Sequence, residues 1–314
     1  MSGIFHGAVM GFVCVMDSPE KDSLDIAVCV KPVFDPSIVS LNAESHIDEE
    51  DLFPILNPRD LLAVEEAVRL KENHLAESVT VVSVARPSAE GLLRRCLAMG
   101  ADRAVRLWDD SMNNMYNDAI GVVLARLIGY FSFKLILCGH RASDDDMGFT
   151  GYVIAEQLGI PFVNKSLNIT LSKQGEVTVK CKLEGGNREI VKTSLPVVVG
   201  IEMDTYEPRY AGLPSLISSL RKPIEQFDLK TIGLSEKEIA SKVQFAGFSQ
   251  PRPRPKKLFI PDSNLSAAER LRLVMSGGIA EKKEDLFMGS PEELSLKFIQ
   301  FLDQINIGVS SKLG

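Results

Sequence analysis

From Asp25 onward, short apolar runs alternate with amphipathic stretches. Ile26-Ala27-Val28-Cys29-Val30 is a continuous apolar run, the pattern of a parallel strand covered on both faces. Beyond an acidic insert from Asn42 to Leu52, Asn57-Pro58-Arg59-Asp60 predicts a helix start. Asn57 stands at the cap, Pro58 at the first helical position and Asp60 near the positive end. Leu61, Val64 and Val68 then share one helical face. The same alternation predicts a strand over 79–84, a helix over 88–99 ended by Gly100, a strand over 104–107, a helix over 117–131, a strand over 135–138 and a helix over 151–158. Strand and helix in series imply an α/β fold with a doubly wound, mainly parallel sheet of flavodoxin-like strand order.

Past Pro161 the spacing changes. Residues 166–171, 177–183 and 188–192 alternate around Gly175 and Gly185-Gly186, which predicts an antiparallel hairpin excursion before a buried strand returns at 195–200. An apolar helix is expected over 216–220. Ser249-Gln250-Pro251-Arg252-Pro253-Arg254-Pro255-Lys256-Lys257 is basic and proline-rich, hence extended, and precedes two amphipathic helices over 267–275 and 291–305. The expected organisation is a flexible leader over 1–24, an α/β domain over 25–235, and an extended C-terminal arm over 236–314 whose two helices need something to lie against. The apolar stretch from Ile4 to Met16 is too short to span a bilayer, which takes about 20 residues.

Composition narrows the classes. The chain has 314 residues, 45% of them hydrophobic and 25% charged, with a net charge of -7, which argues against a general nucleic-acid binder. Five scattered cysteines without a CxxC, and no cluster of histidines, suggest neither a disulfide framework nor a zinc site; a reducing cytoplasm fits. GxGxxG after the first strand, GxxxxGK[ST] and GxSxG do not occur, so the common dinucleotide, P-loop and nucleophile-elbow signatures are missing. The pattern is that of a binding fold with no assembled reactive group of its own.

In a doubly wound sheet the ligand crevice opens beyond the carboxyl ends of the strands where strand order reverses. With the first strand beside the fourth, residues 30–35 and 139–150 become its two lips and residues 57–60 border it. Gly139 permits a close turn, and Phe149-Thr150-Gly151 would present free N–H groups at a helix start, a geometry suited to phosphate. Thr150 adds a hydroxyl, and His140 and Arg141 add positive charge. Asp144, Asp145 and Asp146 repel a phosphate unless they turn to ribose, cap a helix, hold a cation or face solvent. Cys29 and Cys138 end apolar runs and read as core residues.

Several of these segments, in order, resemble the electron transfer flavoprotein β-subunit family: Val30-Lys31-Pro32-Val33, Asn57-Pro58, residues 63–72, Ala98-Met99-Gly100-Ala101-Asp102-Arg103, Gly139 to Gly151, Leu183-Glu184-Gly185-Gly186, Leu195-Pro196-Val197-Val198 and residues 207–214. The likeness runs from about Asp25 to Glu225. It implies a β subunit that pairs with an α subunit, completes that partner's FAD site and holds AMP, or in bifurcating members a second FAD that oxidises NADH. The heterodimer would carry electrons from a flavin dehydrogenase, such as one acting on acyl-CoA, to a quinone oxidoreductase or other acceptor. A nucleotide-binding module without redox role is the remaining alternative. Neither nucleic acid nor a membrane span enters this picture. Carried over by position, the resemblance implies nucleotide contacts at Cys29, Asn57, Pro58, Arg59, Asp60, Val84, Gly139, His140, Arg141, Ala142, Ser143, Asp144, Asp145, Asp146, Met147, Gly148, Phe149 and Thr150. It implies a dehydrogenase anchor at Leu213.

The departures from the family pattern bear on the cofactor. The triple aspartate with Thr150-Gly151 is similar to AMP-type members, but Phe149 replaces their glutamine, and residues 154–161 resemble bifurcating ones. Arg59 stands where an aromatic residue is common after Asn-Pro, and Pro36 where some members carry a tyrosine. A cation beside a flavin would raise its potential; the plainer reading of Arg59 is a surface arginine at a helix start.

Overall fold

The structure is a computed structural model. It describes residues 24–35, 37–38, 53–172, 174–202, 207–235, 237–239, 242–243, 261–275 and 289–304. The expected leader up to residue 23, most of the acidic insert, Pro36 and the proline-rich segment lie outside the described residues.

The elements are β1 (Asp25–Cys29), β2 (Pro32–Val33), β3 (Ile55–Leu56), α1 (Pro58–Glu72), β4 (Ser78–Val84), α2 (Glu90–Met99), β5 (Arg103–Leu107), α3 (Asn117–Phe131), β6 (Leu135–Gly139), α4 (Thr150–Leu158), β7 (Phe162–Leu171), β8 (Glu176–Lys182), β9 (Arg188–Ser194), β10 (Val197–Ile201), α5 (Leu213–Arg221) and β11 (Ile224–Phe227). One nine-stranded sheet runs β11-β5-β4-β1-β6-β10-β7-β8-β9. It is parallel from β11 to β7 and antiparallel through the β7–β8–β9 hairpins. The doubly wound, mainly parallel fold expected from the sequence is therefore present, with its antiparallel excursion in the same sheet. β1 lies between β4 and β6, so strand order reverses beside β1, where the crevice argument requires it.

Strand periodicity divides the core. Ile26, Val28, Leu135, Leu137, Val197 and Val199 face one side of the sheet with Val64 and Val68 of α1 and Leu93 and Leu97 of α2. Ala27, Cys29, Ile136, Cys138 and Val198 face the other with Val123 and Leu127 of α3 and Ile154 of α4. Covering both faces accounts for the unbroken apolar runs of the central strands. α2 ends where Gly100 takes φ 127°, and a Cβ there would lie 2.9 Å from Val68 Cγ1.

Two features went unseen in the sequence. β2 and β3 pair antiparallel, Pro32 opposite Leu56 and Val33 opposite Ile55, so the insert between them returns the chain to the end of β1 and starts α1 there. α5 begins at Leu213, three residues before the helix expected over 216–220, and only Ser219 of this helix is buried. Arg94 of α2 holds its far end, donating from Nη1 to the carbonyls of Ser219 at 2.9 Å and Lys222 at 3.2 Å.

Residues 251–314 cluster as a separate unit from 1–250. Within it lie the two expected helices, α6 (Ala267–Met275) and α7 (Pro291–Gln304). Each opens on a capping box, Ser266 with Glu269 and Ser290 with Glu293. Leu271, Met275, Leu296 and Phe298 are exposed. Among the described residues, no helix is long and apolar enough to cross a membrane.

α4 reaches the crevice because α3 lets it approach closely: a Cβ on Gly121 would sit 2.7 Å from Val153 Cβ and Cγ1. Gly121→Ala should therefore destabilise the protein by about 1–3 kcal/mol in chemical denaturation. Adding Val153→Ala should recover most of that loss, whereas strictly additive losses would contradict the close packing of these helices.

Candidate functional site

At the reversal point the β1–β6 ladder stops at Val28 opposite Leu137, and the strand ends continue as two separate lips. Asp60, in the first turn of α1, spans them. Its Oδ2 accepts from the Lys31 amide at 2.8 Å and its Oδ1 from the Gly139 amide at 2.8 Å. The carboxyl is buried, and burial pushes its pKa up to about 6 although the amides of Lys31 and Gly139 and the Asn57 side chain pull it down. Gly139 is required here for packing: a Cβ would stand 2.4 Å from Asp60 Oδ1 and 2.9 Å from Arg59 Cβ. Asn57, 1% exposed, donates its own amide to Lys31 O at 3.0 Å and its Nδ2 to Arg141 O at 3.1 Å.

The far lip, residues 140–149, turns twice through left-handed backbone, at Asp146 (φ 53°) and Gly148 (φ 61°). The Asp146 amide donates to Ala142 O at 3.1 Å and the Met147 amide to Asp145 Oδ1 at 3.0 Å. The three aspartates are each met by a cation. Lys31 Nζ lies 2.9 Å from Asp144 Oδ2 and 2.7 Å from Asp145 Oδ2; Arg141 Nη1 lies 2.9 Å from Asp146 Oδ2. Asn117, at the start of α3, adds a bond to Asp145 Oδ2 at 2.6 Å. Burial alone would lower the Lys31 pKa, but its bonds to Asp145 and the charge of Asp144 outweigh burial and raise it. Burial likewise works to raise Asp145, and the bonds from Lys31, Asn117 and Met147 hold it below the ordinary carboxylate value.

Glu202, just past β10, gathers a second group of charges. Its carboxylate lies 2.7 Å from His140 Nδ1 and 3.7 Å from both Arg59 Nε and Lys182 Nζ. The His140 contact is close but off the line of a hydrogen bond, so Nδ1 has no hydrogen-bond partner. Burial drives the His140 pKa down to about 4; Glu202 opposes this, and Arg59 and Arg141 reinforce it.

The sequence-expected site residues are thus brought to one edge of the sheet with different roles. The Cys29 thiol is buried in the core, its pKa pushed well up by burial, then by Cys138 and Asp60, so that only its backbone faces the lip. Val84 ends β4 at the same edge and packs into that core cluster. Pro58 occupies the first position of α1. Ala142 and Ser143 are half-buried, while Met147 and Phe149 are 52% and 45% exposed. Thr150 begins α4 with no side-chain cap before it, and helical geometry leaves the first amides of the helix without intrahelical partners. Gly151 is buried, and a Cβ there would meet Phe162 at 2.8 Å. Leu213 lies elsewhere, 69% exposed, beside the exposed Leu216, Ile217 and Leu220. Arg209 fixes that segment to α1 through Glu65 (Nε–Oε2 2.8 Å) and Glu72 (Nη2–Oε2 2.9 Å).

Sequence reasoning missed Lys31, Asn117 and Glu202. Adjacent aspartates on a loop signalled that a cation would meet them, and Lys31 lies just past the first strand; nothing local marked Asn117 or Glu202.

Besides His140 Nδ1, three other buried side-chain atoms along the lips have no hydrogen-bond partner among the described residues, Asn57 Oδ1, Arg141 Nε and Ser143 Oγ. Unpaired polar atoms are costly inside a protein, and these three surround a helix start at a topological switch point, the arrangement that receives the phosphate and sugar of a nucleotide. Fold and site together define a doubly wound α/β protein with a polar crevice at its topological switch point. The sequence profile of the electron transfer flavoprotein domain matches residues 45–232. "Electron transfer flavoprotein subunit beta" of Methylophilus methylotrophus is 31% identical over 218 residues, 69% of this chain and 80% of that protein. The protein of the same description from Bacillus subtilis is 30% identical over 255 residues, 81% of this chain and 98% of that protein. "Protein FixA" of Azotobacter vinelandii is 29% identical over 258 residues, 78% and 90% of the two chains. The chain belongs to the electron transfer flavoprotein family, on its β-subunit side.

The environment of His140 has a pH signature. An unfolded histidine takes up its proton near pH 6.5, while His140 in the fold waits until about 4. The unfolded chain therefore binds more protons in that window, so the contribution of His140 to stability is full above about pH 6.5 and is lost as pH falls toward 4. Asp60, raised to about 6, has the opposite sign: its contribution is full below the unfolded carboxylate value and is lost as pH rises through 6. An NMR titration of His140 should find its midpoint well below 6.5; an ordinary midpoint would contradict the buried, Arg-flanked site.

Proposed function

We propose that this chain is the β subunit of a heterodimeric electron transfer flavoprotein, that it binds AMP between the Asp60-stapled lips, and that it completes the FAD site of an α subunit. The residues fit a nucleoside phosphate. The first amides of α4 and the Thr150 hydroxyl would take the phosphate, and Asn57 Oδ1, Arg141 Nε and Ser143 Oγ would meet the remaining polar groups. The observation carrying this reading is that four buried side-chain atoms without a hydrogen-bond partner, on Asn57, His140, Arg141 and Ser143, lie along the two lips. When bound, FAD supplies the redox chemistry; this chain supplies a wall and a nucleotide anchor and is an electron-carrier subunit rather than a self-sufficient enzyme.

In this reading electrons arrive from a flavin dehydrogenase, such as one acting on acyl-CoA, and leave to a quinone oxidoreductase or other acceptor. The exposed apolar face of α5, led by Leu213, is the proposed dehydrogenase anchor, and residues 236–314, with the exposed apolar side chains of α6 and α7, are proposed to lie against the α subunit. The free, buried Cys29, Cys96, Cys138 and Cys181 suit a reducing compartment such as the cytoplasm. Arg59 shares Glu202 with His140 and Lys182, so its charge is partly answered before it reaches any flavin. A second FAD in place of AMP is the competing reading, favoured by the resemblance of residues 154–161 to bifurcating members.

Co-expression with its α subunit, purification and release of bound nucleotides should give one FAD and one AMP per heterodimer. Two FAD would support the bifurcating reading, and a chain that retains no nucleotide would contradict both. Leu213→Ala should slow electron uptake from the dehydrogenase by roughly tenfold or more, with bound nucleotide unchanged. Unchanged uptake would remove Leu213 from the docking surface.

A further inference from the structure

A pair of aspartates at the mouth of a phosphate site is an electrostatic contradiction, and the structure answers it with one residue on the opposite lip. Lys31, two residues past the end of β1, has its main chain fixed on both sides: its amide donates to Asp60, and its carbonyl accepts from Asn57. Its side chain crosses to the opposite lip and meets both Asp144 and Asp145. Asp145 is then held from three directions, by Lys31, by Asn117 Nδ2 and by the Met147 amide. Asp146 is turned away through its left-handed backbone and paired with Arg141. The result is a loop whose carboxylates are drawn toward β1 and α3 just before the chain enters α4 at Thr150.

We propose that Lys31 is the positioning residue of the nucleotide site: it offsets part of the charge of Asp144 and Asp145 and holds both aside so that a phosphate can approach the start of α4, without itself being a phosphate ligand. This rests on the nucleotide reading above. A lysine so engaged has its donors committed to carboxylates. Without it, two anions would stand uncompensated beside a dianionic phosphate, where like charges strongly disfavour binding. The role is electrostatic first and structural second, and so it discriminates by ligand charge. Loss of Lys31 should weaken a charged nucleotide far more than the neutral nucleoside.

The test uses the full-length chain in complex with its α subunit, stripped of nucleotide and titrated calorimetrically with AMP and with adenosine. Lys31→Met should weaken AMP about tenfold or more and adenosine by less than about threefold. The variant Lys31→Met/Asp144→Asn/Asp145→Asn should return AMP affinity to within about threefold of the parent, because the repulsion that Lys31 offset is gone. Asp144→Asn/Asp145→Asn with Lys31 intact should bind AMP at least as tightly as the parent, which keeps the inference testable if Lys31→Met does not assemble. An unweakened Lys31→Met, equal losses for AMP and adenosine, or a triple variant that stays weak would each overturn it, the last by making Lys31 a direct ligand. A parent complex that binds neither AMP nor adenosine would be recognised as failure of the nucleotide reading itself.

Discussion

The carboxylate of Asp60 is the constraint on which the site depends. Parallel strands β1 and β6 stay paired only to Val28 and Leu137, and the next amides, of Lys31 and Gly139, would be left without a ladder partner as the lips part. Asp60 takes both. A buried carboxylate is costly, as its pKa of about 6 records, and it persists because it satisfies two buried donors at once. It also fixes the spacing of the lips. Gly139 must be glycine because Asp60 and Arg59 fill the space of a Cβ, and Asn57 can reach Arg141 because α1 begins at that height.

From this staple the charges of the site arrange themselves in two mixed groups. Lys31 and Arg141 answer the triple aspartate on one side, and Glu202 answers Arg59, His140 and Lys182 on the other. A phosphate entering between them would meet backbone amides and a hydroxyl more than free cations. Such a site recognises shape and hydrogen-bonding pattern, a property suited to a nucleotide that stays bound and does no chemistry. Arg209 connects this region to the exposed apolar face of α5, tying the α5 segment to Glu65 and Glu72 on the same helix whose first turn carries Asp60.

Most of the framework was legible in the sequence because its causes are local. Apolar runs such as Val197–Val199, the Asn57-Pro58 helix start and the Gly100 stop each depend on residues within a turn or two. The crevice was legible because strand order reverses beside β1, as the β-α alternation implied. What stayed hidden depends on long-range pairing. The β2–β3 ribbon joins Pro32 to Leu56 across an insert without strand periodicity, and the contacts of Lys31 with Asp144 and of His140 with Glu202 join residues far apart in the chain. No local pattern encodes such partners; only the register of β1, β6 and β10 brings them to one edge. Gly139 shows the same limit. Its need for glycine was legible, but the group that comes close is a carboxylate of this chain.

The central claim is that the Asp60-stapled crevice holds an adenosine phosphate with its phosphate on the first turn of α4. A crystal structure of this chain in complex with its α subunit tests it most directly. The account predicts nucleotide density between residues 30–31 and 140–150, its phosphate at the amides of Phe149, Thr150 and Gly151, with Lys31 still bound to Asp144 and Asp145. A crevice filled only by water, or a phosphate seated on Lys31 with the aspartates released, would contradict it.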